Sequence, residues 1–239
     1  MPTGDPKILI LAFLGGIVPS LLWLWFWLRE DEEHPEPTGL LVVVFIMGMI
    51  AVVAVLPIQK FIQAHLGSHE GQLILWASAE EILKYLAVLI ILYRTHNANE
   101  PIDWPIYLIT AALGFATLEN ALFLIKPLSA SGTIVSLLTG QLRFLGSTLL
   151  HTISSGTIGI AIGISFHMKE FKKKWFLLIG FIVAIALHSA FNFFIIRNDG
   201  GDFLKVFAFL WVVAIIIMLL FEKVRRMSEN LDVKVGVPS

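Results

Sequence analysis

Apolar residues dominate this chain in long runs, and seven of those runs are long enough to cross a bilayer. At 1.5 Å rise per residue a crossing needs about 20 mostly apolar residues. The stretches 8–28, 39–58, 73–93, 104–125, 139–167, 175–196 and 203–221 meet that requirement. Between them lie short breaker segments: His34-Pro35-Glu36-Pro37, Asn97-Ala98-Asn99-Glu100-Pro101, Lys126-Pro127 and Asn198-Asp199-Gly200-Gly201. The fifth run is long for one crossing and contains Gly140, Gly146, Gly156, Gly159 and Gly163, which leaves open tilt, close packing or a separate entry helix before Arg143. The first run ends without a small-residue cleavage pattern and reads as a retained helix, with Trp23, Trp25 and Trp27 expected in an interfacial belt. No internal repeat is visible.

The pattern predicts an all-α, polytopic transmembrane helix bundle of about seven spans. Composition agrees: of 239 residues, 57% are hydrophobic and 15% charged, with a mean hydropathy of +0.83, far from the usage of a soluble domain. A net charge of -1 with no extended basic patch excludes nucleic acid as a partner, and zero cysteines exclude disulfides and thiolate chemistry. Lysines and arginines near helix ends set the expected orientation. Lys169, Lys172, Lys173 and Lys174, then Lys223, Arg225 and Arg226, should be cytoplasmic, which puts the N-terminus outside. An extra helix near 128–143 would invert the N-terminal half.

Against this apolar background, a few ionisable residues fall inside the spans. An Asp, Lys or Arg at the bilayer centre costs about 2.5–3.5 kcal/mol even on the lenient insertion scale. The third run nevertheless carries Glu80, Glu81 and Lys84; the fourth Glu119 and Asn120; the fifth His151, Ser154 and Ser155; the sixth His188 and Asn192. Residues three or four apart share a helix face, so both glutamates can approach Lys84, His188 lies over Asn192, and Arg143, Ser147, His151 and Ser155 form one stripe. Counting from the outer ends at 1.5 Å per residue places Glu80 about 10 Å deep, Glu119 about 9 Å, and His188 about 12 Å. His151 is also about 12 Å below Arg143 if that side chain snorkels outward. Four helices thus bring ionisable groups to one layer. A buried ion-pair cluster, hydrogen-bonding histidines and helix-bridging serines are the purely structural readings of the same residues. His65, His69 and His167 fall at interfaces or loops and read as solvated.

The strings Glu80-Glu81-Ile82-Leu83-Lys84, Phe115 to Glu119, His151 to Ser155 and His188 to Asn192, in this order on successive helices, resemble the PrsW family of intramembrane proteases. That family is related to the CAAX-prenyl endopeptidases and to the APH-1 scaffold of gamma-secretase. The resemblance covers about 73–196 and implies a four-helix catalytic core there, two N-terminal helices in 1–72, and a last helix with a short basic cytoplasmic tail in 197–239. It implies hydrolysis of a peptide bond in or near the outer-leaflet end of a single-span membrane protein, such as an anti-sigma factor, in a plasma membrane. A water attacking an amide needs a base, a stabilised oxyanion and an acid for the amine. Glu81 or Glu80 is expected to activate the water with Glu119 as partner, His151, His188 and Asn192 to donate to the oxyanion or orient the water, and Lys84 and Ser155 to support them. No cofactor is required on this reading, although two histidines and a carboxylate could also hold zinc. A proton-coupled carrier and a non-catalytic scaffold are the competing classes. The missing inverted repeat speaks against the first, and the three costly acids against the second.

Overall fold

In a computed structural model the described residues form seven α-helices: α1 Pro6–Arg29, α2 Thr38–His65, α3 His69–Thr95, α4 Asp103–Ser131, α5 Thr133–Ser165, α6 Glu170–Arg197 and α7 Phe203–Val235. The structure describes residues 5–29, 35–131, 133–197 and 203–235, and the side chains at 130–145, 195–203 and 229–235 lie outside that description. The expected all-helical bundle is what the sequence forms. No separate eighth helix stands near 128–143 among the described residues, because α4 runs to Ser131 and α5 begins at Thr133. The Arg143 side chain, expected to snorkel, is among those not described.

Local chemistry explains the helix ends. Ser68 caps α3 by accepting from the Gly71 amide at 3.1 Å. At the other end His96 takes the left-handed conformation, φ 55°, while its amide donates to the Leu92 carbonyl. Helix α2 continues seven residues beyond Ile58, where its apolar run was expected to stop. Hydrophobicity reports the hydrocarbon thickness, whereas helix length is set by where breakers occur. Among the described residues, six helices are long and apolar enough to span a membrane. The exception, α3, carries Glu80, Glu81 and Lys84 at its middle.

Helix α4 is the centre of the bundle. Tyr107, Leu108, Ile109, Ala111, Ala112, Leu113, Phe115 and Ala116 are all fully buried, as expected of a helix that is apolar all round. Thr110 and Thr117 satisfy their hydroxyls on the carbonyls of Ile106 and Leu113, four residues back. Helices α1, α2, α6 and α7 instead turn apolar side chains outward, among them Leu22, Val53, Ile182 and Leu219, each at least 57% exposed. Lipid is the solvent that suits such a surface. Of the three tryptophans expected in a belt, only Trp25 faces out; Trp27 is buried and packs on Phe221 at 4.8 Å, and Trp23 packs against Phe26 and Trp211. The spacing explains it, because residues four apart share a face and residues two apart do not.

Small residues let α2 approach α4. A Cβ on Gly48 would collide with the Ala111 carbonyl, and one on Gly114 with the Phe45 carbonyl, an interlocked small-residue contact of the kind membrane helices use. Backbone cannot yield as a flexible side chain does, so Gly48→Ala is expected to cost about 1–3 kcal/mol. Gly39→Ala on the same helix meets nothing within 4 Å and should leave the thermal midpoint in detergent unchanged.

Candidate active site

The ionisable residues of α3, α4, α5 and α6 meet in one cluster. Glu81 sits at its base, with no side-chain exposure. One oxygen, Oε1, accepts from Lys84 Nζ at 2.8 Å and from His188 Nδ1 at 2.9 Å, and Oε2 accepts from Ser155 Oγ at 2.6 Å. Three donors from three helices therefore hold this carboxylate. The Lys84 ammonium, also fully buried, lies 4.4 Å over the Phe115 ring and 2.8 Å from His151 Nδ1. Glu81 thus forms the pair with Lys84 expected from their three-residue spacing. Glu80 does not: it lies about 100° further around the helix, where Oε1 accepts from Gln59 Nε2 at 2.9 Å.

These partners fix which ring nitrogens carry protons. Because Glu81 can only accept, His188 Nδ1 carries its proton, and the second nitrogen, Nε2, lies 3.5 Å from Glu80 Oε2. That oxygen is buried and has no hydrogen-bond partner among the described residues. At His151 the order is reversed. Lys84 donates to Nδ1, so Nε2 carries the proton and donates to Glu119 Oε2 at 2.7 Å. The two rings stand edge to face, 5.0 Å apart.

A cavity of about 400 Å³ opens from this cluster, lined by Glu80, Glu119, His151, His188 and Asn192 together with apolar residues of α2, α3 and α4. Glu81 is absent from its lining and reaches it only through its partners, as do Lys84 and Ser155. The eight residues to which the resemblance gives a role are therefore brought together, five on the cavity and three behind it. Sequence reasoning missed Gln59, whose carbonyl also accepts from Trp76 Nε1 at 3.2 Å, and the Asn120–Thr148 hydrogen bond beside Glu119. A signal for Gln59 existed: it stands four and seven residues after Val55 and Val52, on the same face of α2. His65, His69 and His167 are exposed, as expected.

The cluster also has the donors of a metal site. Glu80, His151 and His188 each offer a ligand atom, all within 4.8 Å of one another. Two histidines and a carboxylate are a familiar zinc set, and a carboxylate such as Glu81 behind a ligating histidine is its usual support. The open Oε2 of Glu80 fits that use.

Residues 36–221 match the family described as PrsW family intramembrane metalloprotease. Protease PrsW of Geobacillus kaustophilus is 26% identical over 209 residues, covering 84% of this chain and 88% of its own. Protease PrsW of Shouchella clausii is 26% identical over 222 residues, covering 90% and 96%, and that of Bacillus subtilis is 25% identical over 203 residues, covering 82% and 89%. No solved structure matches. With the family match running from the entry of α2 to the middle of α7, this chain belongs to the PrsW family of intramembrane proteases.

Proposed function

We propose that the protein hydrolyses a peptide bond of a membrane-anchored protein with a water activated between Glu80 and His188. The observation that carries this reading is the buried Glu80 Oε2, without a hydrogen-bond partner among the described residues and 3.5 Å from His188 Nε2. With the His188 ring neutral, a water donating one hydrogen to each would turn an oxygen lone pair toward the cavity. Its attack forms the new C–O bond while Glu80 takes one proton. The Asn192 amide, on the cavity, would donate to the oxyanion, and His151 Nε2–H would join it only by turning away from Glu119, its partner at 2.7 Å. Breakdown then cleaves the C–N bond, and the proton passes through Glu80 or Glu119 to the leaving amine. Glu81 and Lys84 act as positioning residues that set the two histidines.

A second reading is favoured by the converging donors of Glu80, His151 and His188 and by the family's description as metalloproteases. A zinc ion held there would supply Lewis acidity and a more acidic water. His151 would have to release its Nε2 proton from Glu119, which its contact with Lys84 opposes. For that reason the metal-free reading stands first.

The substrate class that suits both is a single-span protein of the anti-sigma-factor kind. If the lysine-rich segment 169–174 and the C-terminal tail are cytoplasmic, the cavity faces the outer leaflet of the plasma membrane, because its α6 lining, His188, Phe191 and Asn192, lies toward the end of α6 away from that segment. The test is cleavage of a single-span substrate by the purified protein in lipid vesicles, with products identified by mass. Cleavage that survives chelation supports the first reading. Cleavage lost on chelation and restored by zinc selects the second, and no cleavage under any condition contradicts both. In the same assay Glu119→Gln should lower kcat about 10²-fold or more.

A further inference from the structure

We propose that Lys126 determines substrate specificity by pairing with an acidic side chain about three residues from the scissile bond; this rests on the proposed hydrolysis at the cluster. The α4 residues on the cavity are Phe115, Glu119, Asn120, Leu122, Phe123 and Lys126. Four of them, Phe115, Glu119, Phe123 and Lys126, recur at three- or four-residue spacing and form one stripe along the helix. Exposure climbs along it: Phe115 is fully buried, the Glu119 side chain is 21% exposed, and Phe123 reaches 54%. Lys126 is exposed at the mouth. The stripe is therefore a ramp from the chemistry to the surface, and Leu122 and Phe123 make its middle apolar.

A peptide bond inside a helix is screened by the helix's own hydrogen bonds, so the segment to be cut must be extended. Seven residues of α4 separate Glu119 from Lys126, about 10 Å, which three extended residues cover at roughly 3.3 Å each. The facing wall is apolar too, with Val52, Val55 and Leu56 on α2. The matching substrate segment is an acidic residue followed by apolar residues up to the cut bond. Among the described residues lining the cavity, Lys126 is the one lysine or arginine, and two helical turns separate it from the Glu119 carboxylate. A substrate carboxylate is its natural counter-charge at that place, and a lipid phosphate is the competing one.

The experiment uses single-span substrates with Asp, Asn or Lys at each position two to five residues from the cleaved bond. They are presented in vesicles with and without anionic lipid to wild type, Lys126→Gln and Lys126→Glu. Wild type should cut the Asp substrate about fivefold faster than the Lys substrate, in kcat/KM, with the preference peaking near the third position. Lys126→Gln should erase that preference, and Lys126→Glu should reverse it. A preference identical in all three proteins overturns the inference. So does a loss that is equal for all substrates and follows anionic lipid, which would make Lys126 a headgroup anchor. Equal cleavage of the whole series by wild type overturns this inference alone; no cleavage of any substrate overturns the proposed function and this inference with it.

Discussion

Replacing His188 by asparagine is expected to lower kcat by about 10³-fold while leaving the fold intact. The side chain has two separate duties. Its Nδ1 donates to Glu81 Oε1 at 2.9 Å from a site 2% exposed, and the asparagine amide can place a donor at nearly the same point. Its Nε2 faces Glu80 Oε2 on the cavity, and asparagine has nothing to put there. A purely structural histidine would tolerate the exchange in both activity and melting temperature. A histidine that handles the reacting water should lose activity at an almost unchanged melting temperature. Measuring both on one preparation separates the two cases.

The largest effect on stability is expected from Lys84→Met. Lys84 and Glu81 are both without side-chain exposure and 2.8 Å apart, and removing the ammonium leaves a carboxylate charge stranded far from water. Breaking one partner of such a pair costs about 3–5 kcal/mol, whereas replacing both can be nearly neutral. Lys84→Met should therefore melt far below wild type, and Lys84→Met with Glu81→Gln should recover much of the loss. Activity should not return with stability. Without Lys84 the His151 Nδ1 loses its donor and the ring one of its two anchors, and without the Glu81 charge His188 is less firmly held. Recovery of both together would assign the pair to folding alone.

Much of this architecture is legible in the residues, because the two strongest sequence signals here are physical necessities. Twenty apolar residues in a row have one stable home, and a charged group in that home must find partners. Depth counting brought Glu80, Glu119, His151 and His188 to one layer, and those residues do share one cavity. What was not legible is side-chain direction across helices. The string from Glu80 to Lys84 allows either glutamate to pair with the lysine; only the position of α6 and α2 assigns Glu81 to His188 and Glu80 to Gln59. Trp27 leaves the expected belt for a related reason: an aromatic belt is a matter of depth, and whether a tryptophan at that depth faces lipid or α7 depends on rotation about α1. The wall that α2 adds to the cavity was also out of reach, since nothing in an apolar stretch identifies its neighbour.

In the proposed reaction the open carboxylate oxygen of Glu80 works on the water that cuts the substrate. Glu80→Gln changes almost no volume and keeps an oxygen that can accept from Gln59, so the variant can be expected to fold. The decisive measurement is its rate of cleavage of a single-span substrate in vesicles, beside its melting temperature. A rate reduced about 10³-fold or more at an unchanged melting temperature is the expected result. Cleavage within a few-fold of wild type would contradict the role assigned to Glu80 and, with it, the proposed site.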